Sequence, residues 1–63
     1  MNFSVLQARR FAGKTQRELA RKMGICVDSY RAIELNPEKA TVKQAKIISE
    51  VTGIPVDKIF FSS

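Results

Sequence analysis

Three times in this chain a hydroxyl residue is followed, three positions later, by glutamine or glutamate: Ser4 by Gln7, Thr15 by Glu18, and Thr41 by Gln44. Each pair is a capping box, in which the hydroxyl accepts from the backbone N–H three residues on and that residue's side chain reaches back to the cap's own N–H. The boxes therefore mark helix starts, and glycines mark helix ends. Gly13, Gly24 and Gly53 each follow one of these starts by about two or three turns, and glycine readily takes the left-handed conformation that closes a helix.

The apolar residues between these signals recur at helical spacing. Val5, Ala8 and Ala12 give the first helix an inner stripe, and Leu19, Ala20 and Met23 give one to the second, with Arg17, Arg21 and Lys22 elsewhere. After Thr41, the stripe Val42, Ala45, Ile48 and Val51 or Thr52 points inward. Between them, Tyr30 and Ile33 suit the inner face of a helix from about Val27 to Leu35, which Pro37 closes. This helix has no capping box, because Cys26 stands where serine, threonine or aspartate is favoured. Pro55 fits the first position of a short fifth helix with Val56, Ile59 and Phe60 as its apolar face. No strand-like alternation, repeat or linker competes, so the spacing predicts an all-α fold in one domain over residues 1–63.

A chain of 63 residues buries only about 60% of the surface its unfolded form exposes, so modest stability is expected. No apolar run approaches the roughly 20 residues of a membrane span, and "MNFSVLQARR" lacks the basic leader and long apolar centre of a signal peptide. A cytoplasmic protein is expected. There is no histidine and one cysteine, which leaves no disulfide, no metal cluster and no Ser-His or Cys-His pair for nucleophilic catalysis. The expectation is therefore a non-enzyme without metal, cofactor or small-molecule substrate. The net charge is +5 and uneven: residues 1–34 hold seven Lys and Arg against three Asp and Glu, residues 35–63 four against three. A phosphate-facing surface belongs most naturally in the first half, the alternative being charge that serves solubility.

Gly24, Ile25 and Cys26 join the second and third helices as a helix-turn-helix candidate, motif about 15–35, with the small Ala20 where the two must cross closely. At Arg9, "TQRELARKMGI" (15–25), "IE" (33–34), "GI" (53–54) and "VDKIF" (56–60), the chain resembles the DNA-binding domain of the Cro/C1-type, or XRE-type, bacterial and phage regulators. The resemblance implies a compact, lambda-repressor-like five-helix bundle whose third helix lies in the major groove of a double-stranded operator. It further implies a homodimer, at least on DNA, reading half-sites roughly 34 Å apart.

Residue by residue, the resemblance implies a structural ion pair between Arg9 and Glu34. It places Gln16 at a phosphate beside the groove, flanked by Lys14 and Arg17, and Ser29, Asn36, Lys39 and Lys43 near the backbone. It turns Val27, Asp28, Arg31 and Ala32 toward the bases: Val27 and Ala32 meet thymine methyls, Asp28 accepts from cytosine or only stabilises the helix start, and Arg31 forks onto guanine or grips a phosphate. The chain departs from the family at Cys26, at Tyr30 and at Lys14. It also has Ala45 and Thr52 where leucine is usual, so Phe3, Phe11 or Phe60 is expected to fill part of the core. Leu6, Ile47 and Phe61 are candidates for a dimer patch. The leading expectation is a small sequence-specific transcriptional regulator, Cro- or repressor-like, and the alternative is a protein-interaction module of the same fold, such as an antitoxin component or adaptor.

Overall fold

All three capping boxes form. In the computed structural model, which describes residues 2–61 with only the backbone at Phe60, the Ser4 hydroxyl accepts from the Gln7 N–H at 3.1 Å while the Gln7 side chain accepts from the Ser4 N–H at 2.9 Å. Thr15 and Glu18 exchange the same bonds at 3.1 and 3.2 Å, and Thr41 and Gln44 at 3.0 and 3.0 Å. The helices that follow are α1 (Val5–Phe11), α2 (Gln16–Met23) and α4 (Val42–Thr52), with α3 (Val27–Leu35) between them.

The turn between α2 and α3 owes its shape to Gly24. At φ 70° and ψ 30° this residue is left-handed, a conformation that costs a residue with a Cβ roughly 1–2 kcal/mol. Its N–H donates to the Arg21 carbonyl at 3.1 Å, and the Ile25 N–H donates to the Ala20 carbonyl at 3.0 Å. These two bonds are a Schellman motif, which closes α2 and turns the chain into α3 within three residues. Pro37 ends α3, and residues Pro37–Lys39 form a 3₁₀ turn leading to α4.

The core lies between the four helices and contains Val5, Ala8, Leu19, Ala20, Tyr30, Ile33, Ile48, Ile54 and Ile59. Phe3, Met23, Ile25, Val27, Ala40, Val51 and Phe61 pack on its edge. Thr52, in a position where an apolar residue would pack, ties off α4: its hydroxyl donates to the Ile48 carbonyl at 2.7 Å and accepts from the Ile54 N–H at 3.3 Å.

Three expectations are corrected. The fifth helix does not form: Pro55 is extended at ψ 144°, Val56–Lys58 make a single 3₁₀ turn, and Ile59–Phe60 form strand β2. This strand pairs in parallel with β1 (Phe3–Ser4), with Phe3 opposite Ile59 and Ser4 opposite Phe60. A segment of this length cannot meet the cost of helix nucleation, and the β-branched Ile59 favours extended backbone beside an available partner. Val42 is 76% exposed, because the inner stripe of α4 begins only at Ala45. Phe11 is 73% exposed and stacks on Phe3, ring centroids 5.2 Å apart, instead of filling the core. The side chain of Phe60, another candidate core residue, lies outside the described residues.

Candidate nucleic-acid interface

The start of α2 and the face of α3 are joined by one chain of hydrogen bonds. Arg9, in the last turn of α1, donates through Nε to Glu34 Oε2 at 2.6 Å and through Nη1 to the Lys14 carbonyl at 3.0 Å. Gln16, the first residue of α2, donates through Nε2 to Glu34 Oε1 at 3.0 Å. Its own Oε1 accepts from Arg31 Nη2 at 3.5 Å, and Arg31 Nη1 donates to Asp28 Oδ1 at 3.3 Å. The chain thus runs Arg9, Glu34, Gln16, Arg31, Asp28, from a shielded ion pair out to the solvent.

Its inner end is well covered, the Arg9 and Glu34 side chains being only 12% and 6% exposed. Burial pushes the Glu34 carboxyl up, but hydrogen bonds from Arg9 and Gln16 and the Arg9 charge outweigh it and hold the group below the ordinary carboxylate value. The hydrogen bond to Glu34 likewise raises Arg9. Beside the pair, burial first and the Glu34 carboxylate second push the Tyr30 phenol up, and its hydroxyl has no hydrogen-bond partner among the described residues.

Around the start of α2 lies an open cleft of about 520 Å³ lined by Arg9, Arg10, Lys14, Thr15, Gln16, Arg17 and Val27. The first N–H groups of a helix have no partner within it. The Thr15–Glu18 box satisfies those of Thr15 and Glu18, so among the described residues the N–H groups of Gln16 and Arg17 are left to meet an anion, in the positive field of the helix terminus and of Arg10, Lys14 and Arg17, Arg9 being paired with Glu34. Arg10 was not legible as part of this site: its neighbour Arg9 carried the motif, and only the fold shows that both border the cleft.

The α3 face is different in character. Asp28, Ser29 and Arg31 are exposed, while Val27 and Ala32 are half-buried, and Val27 packs partly on the core. Cys26 takes the N-cap backbone geometry without a side-chain capping bond. Its exposed Sγ instead lies 3.2 Å from Ser29 Oγ, and that contact lowers the thiol below its ordinary value. Arg31 is the single Lys or Arg of α3, against Asp28 and Glu34. Since Arg9 neutralises Glu34 and Asp28 faces Arg31, the α3 surface carries almost no net charge.

Asn36 at the end of α3, Lys39 on the 3₁₀ turn and Lys43 in the first turn of α4 are exposed, outside this hydrogen-bond chain. Of the candidate dimer residues, Phe61 borders an apolar groove with Ala40, Val42, Ala45 and Val56, whereas Ile47 borders a separate hollow with Lys14, Lys22, Glu50 and Val51. Among the described residues no cluster of His, Cys, Asp or Glu could hold a metal ion, and no helix is long and apolar enough to cross a membrane.

Two adjoining helices, a three-residue turn and an open second-helix face define a helix-turn-helix domain. A helix-turn-helix family model matches residues 5–59, and the chain belongs to that family, the Cro/C1 type of DNA-binding regulators. No curated protein and no solved structure matches the chain significantly.

Proposed function

We propose that this protein is a sequence-specific transcriptional regulator of the Cro or repressor kind, which binds double-stranded operator DNA with α3 in the major groove. The observation that carries this reading is the adjacency of two unlike surfaces, a basic cleft at the start of α2 and a nearly neutral, exposed α3 face. The first suits phosphates and the second suits base edges, which are read at short range.

In this arrangement Gln16, Lys14, Arg17 and Arg10 seat the phosphate backbone, with the free N–H groups of α2 beneath it. Ser29, Asn36, Lys39 and Lys43 approach the strand further along. Val27, Asp28, Arg31 and Ala32 face the bases. The protein acts as a homodimer on a two-fold site, in the cytoplasm and on the nucleoid, and carries out no catalysis.

Arg17→Ala and Arg31→Ala test the assignment in fluorescence anisotropy with short duplexes. Arg17→Ala is expected to weaken binding to every sequence and to lower the slope of log K against log salt by about 0.9. Arg31→Ala is expected to weaken binding to a preferred duplex by about 1–3 kcal/mol and to blur its sequence preference. Unchanged duplex binding in both folded variants would reject this interface, whereas a parent protein that binds no duplex at low salt would favour a protein-interaction module.

A further inference from the structure

The inference concerns Asp28, and it rests on the proposed DNA-binding function. A carboxylate on a helix that faces phosphates is repelled by them, and here it stands 89% exposed. It is also aimed. Asp28 Oδ1 lies 3.3 Å from Arg31 Nη1, one turn along the same helix, while Gln16 Oε1 receives the other terminal nitrogen, Nη2, at 3.5 Å. One N–H on each arm of the guanidinium therefore meets an oxygen of the protein itself, on a side chain that stays 54% exposed. The fork thus bridges the junction of α2 and α3, and it belongs to the only cation of α3.

We infer that Asp28 is a specificity-determining residue that competes with DNA for Arg31. On an arbitrary sequence, Arg31 gains little by leaving Asp28 and Gln16 for a phosphate, so it adds little to non-specific affinity. A base pair that offers two acceptors in the plane of the fork replaces both internal bonds at once and releases the arginine. Since an exposed ion pair is weak, such an exchange is readily reversed. Discrimination comes from suppressing the wrong complexes. Gln16, anchored at its other end by Glu34 at 3.0 Å, is the second positioning residue of the device.

The test is a double-mutant cycle with Asp28→Asn and Arg31→Met, read on a random-sequence duplex and on the best duplex from a pool selection, across a salt series. One additional neutralised phosphate steepens the slope by about 0.9, which is about eightfold in affinity at 0.1 M salt relative to 1 M. Asp28→Asn is therefore expected to bind the random duplex about eightfold tighter and to narrow the ratio between selected and random duplexes. Arg31→Met is expected to cost the random duplex about eightfold in the Asp28→Asn background and less than twofold in the parent. An equal cost of Arg31→Met in both backgrounds overturns the inference, showing simple repulsion by Asp28. Loss of affinity by Asp28→Asn confined to the selected duplex also overturns it, showing direct base reading. A parent protein that binds no duplex at low salt overturns the function itself, which is a separate result.

Discussion

Replacing Glu34 by glutamine removes one charge from the centre of the hydrogen-bond chain and almost no volume. The carboxylate accepts from Arg9 Nε at 2.6 Å, from Arg9 Nη2 at 3.4 Å and from Gln16 at 3.0 Å. Glutamine retains one oxygen, so Arg9, 12% exposed, keeps its bond to the Lys14 carbonyl but at best one of its two bonds to residue 34, and loses its counter-charge. Breaking a buried pair at one partner costs about 3–5 kcal/mol, and the retained acceptor places this substitution near 3 kcal/mol. Over 63 residues the unfolding entropy is about 0.13 kcal/mol/K, so Tm is expected to fall by roughly 20 °C. Total stability on the order of 3–9 kcal/mol leaves the variant measurable but weak.

Urea and thermal unfolding followed by circular dichroism, on parent and variant between pH 7 and pH 3, provide the assay. Because the folded Glu34 carboxyl lies below its ordinary value of 4.5, its contribution is complete above that value and is lost as the pH falls through the folded one. The gap between parent and variant should thus close on acidification. A loss below 1 kcal/mol at pH 7, or a gap that is the same at pH 3, would refute the shielded-pair argument.

Two further substitutions probe the local chemistry. Tyr30→Phe removes a buried hydroxyl that has no partner among the described residues and should leave stability unchanged or raise it by up to about 1 kcal/mol; a loss above 1 kcal/mol in urea unfolding would reveal a bond to Glu34 or Arg9. Cys26→Ser supplies α3 with the side-chain cap that it lacks and should raise stability by up to about 1 kcal/mol with DNA binding preserved; a folded serine variant unable to bind DNA would assign the thiol a direct role.

The helix starts were legible because a capping box is a local device: both partners lie within four residues, and no tertiary contact is needed to form it. Gly24 was legible for the same reason. The segment after Pro55 was not, since its conformation depends on Phe3 and Ser4, more than fifty residues away, which offer Ile59 and Phe60 a strand to pair with. Val42 and Phe11 misled because helical spacing identifies a stripe and leaves its ends open: Val42 precedes the point where α4 meets the core, and Phe11 finds Phe3 on the outside. In the candidate site, the residue types at Gln16 and Arg31 drew attention in the sequence. What they do to one another did not, because the amide bridging Glu34 and Arg31 exists only once α2 and α3 are packed.

The measurement that bears most directly on the central claim is selection of bound sequences from a random duplex pool, followed by affinity measurement of the best duplex against a scrambled one over a salt series. The account predicts a two-fold symmetric motif with half-sites about one helical turn apart, a preference of at least about a thousandfold over the scrambled duplex, and affinity that falls steeply with salt. Equal affinity for all duplexes, or no binding at low salt, would contradict it.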